Sequence, residues 1–259
     1  MPKVTGRTHR IPCLEHLQLV QPVLQSDLRT KQDMDGFTQL PRIIAALPNT
    51  RSVEMSYERL TSENAALLLV DHQTGLSNGV QDQSPPEYLT SVTALFQLAK
   101  AFNLPTVVTT SAADGPNGPV LPVITQTLPD APLIHRPGEI NAWDNAEFVA
   151  AVKKTGRQKL IVAGVSTVVC VAFVSLSAIA EGYDVYAVID ASRTWSKLVQ
   201  EIAVARMVQA GIGPITWVAV GAELQRDWRG PTGQQLGQIM GDHLPFYGNL
   251  FSSFRAAKG

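Results

Sequence analysis

From Leu160 to Ala180 the chain carries no charged residue, a run as long as the ~20 apolar residues that suffice to cross a bilayer. Its composition argues against that use. Ser, Thr, Gly and Ala fill much of it, and the β-branched residues Ile161, Val162 and Val165 crowd its first part. A second β-branched run, Asp184 to Asp190, follows within a few residues. Strand, turn, helix and strand account for the whole stretch, because buried parallel strands read as continuous apolar runs rather than alternating ones. No membrane partner is expected.

The same rhythm extends in both directions. Residues 65–71 predict a first strand, 86–103 a helix with Tyr88, Val92, Leu95 and Phe96 on its apolar face, and 105–111 a second strand. A Gly- and Pro-rich loop at 114–119 separates this from a short third strand at 132–136. A helix over about 144–155 precedes strand four, 159–165, and another over about 168–181 is stopped by Gly182. Strand five at 184–190, a helix over about 197–210 and strand six at 215–220 complete the series. Strands alternating with helices predict an α/β fold, a three-layer α/β/α Rossmann-like parallel sheet covered on both faces. In such sheets ligands bind beyond the carboxyl ends of the strands.

Composition removes several function classes. With a formal net charge of -1 there is no electrostatic footprint for nucleic acid. The two cysteines, Cys13 and Cys170, are too far apart in sequence for a disulfide framework or a Cys-rich metal site, which fits a reduced, cytoplasmic setting. Residues 1–54 read differently from the rest. Pro12, Pro22, Pro41 and Pro48 break any helical period, no strand-like run appears, and the features of a secretory signal are missing. They are expected to be a poorly ordered extension, or no part of the natural product, with the functional domain spanning 55–259 from Met55.

Three residue types with chemical potential fall at strand ends that a parallel sheet brings to one edge. Asp71 closes strand one, Arg136 closes strand three, and Cys170 lies in the first turn after strand four. Asp71 alone could be a turn residue, Cys170 a small buried hydrophobe and Arg136 half of a salt bridge; together they read as a site. Ser166 and Thr167 can cap the helix, which would set Cys170 near free N–H groups and the positive end of the dipole, and Arg136 would add to this. A lowered thiol pKa and a thiolate nucleophile are therefore expected, with Asp71 shuttling protons.

At these residues the sequence resembles a known family. Asp71-His-Gln-Thr-Gly75, Arg136-Pro-Gly-Glu-Ile-Asn-Ala-Trp-Asp-Asn145 and Ala163-Gly-Val-Ser-Thr-Val-Val-Cys-Val171 are similar to the isochorismatase-like cysteine hydrolases, the YcaC type in particular. Thr109 to Ser111, Gly115 to Gly118, Asp190 to Ser192 and Glu223 to Arg229 extend the likeness over roughly residues 57–255. The resemblance implies a homo-oligomer without a cofactor, acting on amide-like carbonyl carbons of a small-molecule substrate. It implies Cys170 as nucleophile, Asp71 as general acid/base, and Arg136 where the family's triad lysine usually stands. It also implies a non-proline cis peptide at Val165–Ser166 that helps aim N–H groups, that of Cys170 included, at a developing oxyanion.

Two departures bear on the chemistry. Arg136 cannot lose its proton near neutral pH, so it can hold charge but not serve as a base. Val168 stands where the family usually has an acidic residue. Asn141 and Trp143, in the loop after strand three, are candidate substrate-binding residues. His72 joins them as a residue that orients backbone rather than one that reacts. His72 and His135 form no ligand cluster, so no catalytic metal is expected. Two rival readings stand beside this one: a serine hydrolase using Ser166, Asp190 and His243, whose elbow Val168 would crowd, and a non-catalytic oligomeric binding or scaffold protein that retains the fold. The aromatic closing segment, 242–251, is expected to pack on a neighbouring subunit.

Overall fold

A computed structural model describes residues 57–258. The domain boundary expected at Met55, and the segment before it, lie outside the described residues. Six strands form one parallel sheet: β1 (Ala65–Val70), β2 (Thr106–Ser111), β3 (Leu133–Arg136), β4 (Lys159–Gly164), β5 (Asp184–Val188) and β6 (Gly213–Ile215), in the order β3-β2-β1-β4-β5-β6. The helices are α1 (Thr74–Asn78), α2 (Pro85–Ala101), α3 (Pro122–Thr127), α4 (Ala146–Lys154), α5 (Ala172–Ala180), α6 (Lys197–Gln209), α7 (Trp217–Gln225), α8 (Gly233–His243) and α9 (Pro245–Lys258).

Every residue of β1 and β4 is buried, as expected of strands covered on both faces. Leu67 and Leu69 of β1 pack with Val92, Leu95 and Phe96 of α2, whereas Ala66, Leu68 and Val70 pack with Phe148 of α4 and Val174 of α5. The chain runs outward from β1 through β2 to β3, then returns beside β1 as β4 and continues to β6. The topological switch therefore falls between β1 and β4, where a doubly wound sheet opens a crevice. The uncharged run resolves as β4, a turn and α5, and among the described residues no helix is long and apolar enough to cross a membrane.

Two expectations about elements need correction. Strand six occupies Gly213–Ile215, not 215–220, and Trp217 begins a helix. The Thr216 side chain accepts from Ala219 N, and Asp190 Oδ1 accepts from Trp217 N at 3.0 Å, so two first-turn donors are capped and the helix wins over a strand. An apolar run this short cannot be assigned by periodicity. The helix expected over 168–181 is two pieces, a π-helical turn at Thr167–Val171 and then α5. Ser166 stands at its N-cap position, but its side chain makes no cap bond, and Thr167 Oγ1 is buried without a partner. Gly182 does close the segment, at φ 90.

Candidate active site

The carboxyl ends of β1 and β4 are pressed together by geometry that only glycine allows. A Cβ on Gly164 would lie 2.2 Å from the Val70 carbonyl oxygen, and Val165 N donates to that same oxygen at 3.1 Å. Asp71 follows Val70 at φ 58, a left-handed conformation that costs a non-glycine residue about 1–3 kcal/mol and clusters at functional sites. Its N–H is held by Thr109 O at 2.9 Å. The sequence gives no sign of this backbone state.

Arg136 ends β3 and is 1% exposed. Its Nη2 donates to Asp71 Oδ1, its Nε to Thr109 Oγ1 at 3.0 Å, and its Nη1 to the Glu139 carbonyl. A buried guanidinium bonded through all three nitrogens, one of them to a carboxylate, repays its desolvation by geometry. Asp71 Oδ2 is left without a formed hydrogen bond. The thiol of Cys170 lies close enough to interact with the Asp71 carboxyl. Asp71, Arg136 and Cys170 thus converge although 99 residues separate the first from the last.

The electrostatics differ from the expected low-pKa thiolate. Burial pushes the Cys170 thiol up, the Asp71 charge and its hydrogen bond push it further, and only the Ser166 main-chain N–H and Arg136 pull it down. Burial likewise raises the Asp71 carboxyl, and Arg136 only partly counters it. Burial and the neighbouring carboxyl thus both favour the neutral thiol over the thiolate.

The peptide Val165–Ser166 is cis. The other expected substrate contacts, His72, Asn141 and Trp143, each have partners within the protein. His72 is 1% exposed and faces α2: its Nδ1 meets the Tyr88 hydroxyl at 2.7 Å, and its ring lies edge-on to Phe96. Burial lowers its pKa to about 3, so it is a neutral imidazole behind Asp71, while its carbonyl accepts from Leu121 N. Asn141 caps the turn Ala142–Asp144 and donates to Ser177 Oγ at 3.0 Å. The Trp143 indole N–H donates to Glu181 Oε1 at 2.7 Å, and its ring meets Tyr183 edge-on. Glu181 lies about 16 Å along the helical path from Cys170 at 1.5 Å per residue. The 137–145 loop is thereby fastened to α5 and the residue that follows it. His72 and His135 do not share a ligand position, since His135 is exposed and bonds Thr110. Ser166, Asp190 and His243 form no hydrogen-bonded relay: Asp190 caps α7, and His243 bonds Gln97 on α2.

Two residues went unnoticed in the sequence. Gln73 is fully buried and bonds Ser111 N, Ser111 O and Gly118 O, tying the end of β1 to the end of β2. Arg193, after β5, touches the cysteine turn. Both follow strand ends at the same sheet edge, a position legible in the sequence.

The chain matches the isochorismatase domain family over residues 65–219. It is 51% identical over 198 residues to Probable hydrolase YcaC of Escherichia coli (strain K12), covering 76% of this chain and 95% of that protein. The structure of YcaC from Pseudomonas aeruginosa with hexane-2,5-diol and covalent acrylamide is 53% identical, covers 77% of this chain and 98% of the other, and superposes with a TM-score of 0.75. The crystal structure of the Escherichia coli ycaC product, described as an octameric hydrolase of unknown specificity, is 52% identical, covers 78% and 98%, and gives a TM-score of 0.75. The fold, the matched stretch around all three converging residues, and this degree of identity place the chain in the isochorismatase family, as a hydrolase of the YcaC type.

Proposed function

We propose that this hydrolase cleaves a small amide-like or related C–N substrate through a covalent intermediate on Cys170. The observation that carries the reading is the convergence of the buried Asp71 and Arg136 with the half-buried Cys170 at the β1–β4 edge. Because the thiol is neutral at rest, activation occurs with substrate in place. Asp71 takes the Sγ–H proton as Sγ bonds the carbonyl carbon, and the oxyanion is met by the main-chain N–H groups of Ser166 and Cys170, since that of Val165 is held by Val70 O. The C–N bond then breaks, and protonated Asp71 returns the proton to the leaving nitrogen. Asp71 next deprotonates a water that attacks the thioester, and Sγ leaves and is reprotonated by Asp71. Arg136 stays cationic throughout and offsets the negative charge that passes between Asp71 and Sγ. No step calls on a cofactor.

The covalent acrylamide in the Pseudomonas aeruginosa relative supports this reading, since acrylamide is an electrophile to which thiols add. The test is turnover of a panel of small amides and nitriles by wild type and Cys170→Ala. Turnover that vanishes in Cys170→Ala while circular dichroism and elution volume are unchanged is the expected result. Equal turnover in both would remove Cys170 from the mechanism.

The octameric relative supports a homo-oligomer here as well. Phe246, Leu250 and Phe254 lie exposed at four-residue spacing on α9, within and just beyond the closing segment singled out in the sequence, and we assign them to a subunit contact. Serine at all three positions is expected to lower the mass measured by light scattering; an unchanged mass overturns the assignment.

A further inference from the structure

Arg193 lies two residues before an exposed tryptophan and is itself 2% exposed. Its main chain holds both ends of the turn that leads to Cys170: Arg193 N donates to Gly164 O at 3.2 Å, and Arg193 O accepts from Thr167 N at 2.8 Å. Its side chain runs the other way, under the segment between α1 and α2. Nη2 donates to Val80 O at 2.8 Å and to Gln83 O, and Nε stands 3.6 Å from Asp82 Oδ1. The guanidinium lies 5.1 Å above the centre of the Tyr88 ring. The Tyr88 hydroxyl meets His72 Nδ1, and His72 is the neighbour of Asp71. One residue therefore reaches the turn of Cys170 through its backbone and the flank of Asp71 through Tyr88 and His72.

Neighbouring bonds reinforce the same seam. Gln83 Nε2 donates to Ser192 O at 2.9 Å, and Gln81 N to Thr194 O at 3.0 Å. The loop after β5 is thus stitched to the segment before α2, with Arg193 as the only cation at the stitch among the described residues bonded there. A buried guanidinium that bonds two main-chain carbonyls fixes their positions, because leaving it unpaired is costly.

We propose that Arg193 is a positioning residue, a clamp that keeps the Cys170 turn in register with Asp71. It touches no substrate in this account; it sets the separation across which the thiol proton is passed. The proposal rests on Cys170 being the reacting thiol. A misplacement of 1 Å in such a site can lower reactivity by about 10²-fold.

The test is the rate of Cys170 alkylation by acrylamide against pH, read by peptide mass spectrometry, in wild type, Arg193→Lys, Arg193→Met and Asp82→Asn. Arg193→Met is expected to slow labelling roughly 10- to 100-fold, with added guanidinium chloride at non-denaturing concentration restoring the rate in that variant and leaving wild type unchanged. Arg193→Lys, which keeps the charge and one donor to the carbonyls, is expected to recover most of the rate. Should Arg193→Met fail to fold, Asp82→Asn, which removes the charge facing the same guanidinium and leaves its carbonyl bonds, is expected to slow labelling several-fold. A folded Arg193→Met, or failing that a folded Asp82→Asn, with the wild-type profile overturns the clamp. Wild type that never labels would instead overturn the nucleophile, a different outcome from either.

Discussion

Two arginine–aspartate pairs are buried at the same edge of the sheet, and they are built differently. In Arg136–Asp71 the guanidinium donates directly to the carboxylate, and its two other nitrogens are bonded to Glu139 O and Thr109 Oγ1. In Arg193–Asp82 the closest approach is 3.6 Å, and neither Asp82 oxygen nor Arg193 Nε forms a hydrogen bond. The first arginine is spent on a carboxylate, the second on main-chain carbonyls. That difference separates holding a reactive charge from holding a backbone. A third carboxyl, Asp190 at the end of β5, has no arginine and accepts only main-chain N–H groups.

The contrast can be broken by removing one partner at a time. Arg136→Met leaves Asp71 buried without its cation and is expected to cost about 3–5 kcal/mol, read from the urea midpoint; a cost under about 1 kcal/mol, the range of an exposed pair, would mean the pair is far wetter than its burial implies. Asp190 comes next. Burial raises its pKa from 3.8 to about 6. Folding thus favours the protonated form, so its contribution is complete below pH ~4 and is lost as pH rises through ~6, about 3 kcal/mol in all. Asp190→Asn should flatten that slope in stability measured across pH 4–7; an unchanged slope would assign the dependence to another group. Asp82→Asn is expected to cost less, about 1–2 kcal/mol, because no hydrogen bond is lost and Arg193 keeps its carbonyl acceptors. At the opposite edge Lys159 pairs with Asp184 at 3.0 Å, where Asp184 is 58% exposed. Asp184→Asn should cost under about 1 kcal/mol and fade in high salt, and a larger loss would contradict its treatment as a surface pair.

The comparison also explains what could be seen in the sequence. β1 and β4 announce themselves because strands buried on both faces read as continuous apolar runs, interrupted here only by Lys159 at the start of β4. Asp71, Arg136 and Cys170 were visible because parallel strand ends share an edge, and the stretches around them are similar to a known family. Arg193 stands at the same kind of strand end after β5, yet its partners at Val80 and Gln83 are 113 and 110 residues away, and nothing local marks them. The direction of the Cys170 pKa was misread for a related reason. A helix start and a nearby arginine are legible from residue order, whereas burial and the orientation of a carboxylate are not. The loop position of Trp143 and Asn141 is legible in residue order, whereas their bonds to Glu181 and Ser177 are not. The β6–α7 boundary was lost to a cap contributed from Asp190, 27 residues upstream.

The central element of the proposal is that the Cys170 thiol and the Asp71 carboxyl are coupled, the charge on one holding the proton on the other. The most direct measurement is acrylamide labelling of Cys170 against pH in wild type and Asp71→Asn, with site occupancy read by mass spectrometry. Because burial and the Asp71 carboxylate together hold the thiol high, wild type should label with a rate that climbs at alkaline pH, and Asp71→Asn should move the whole profile to lower pH. An identical profile in the two proteins, or one displaced upward in Asp71→Asn, would contradict the coupling on which the account rests.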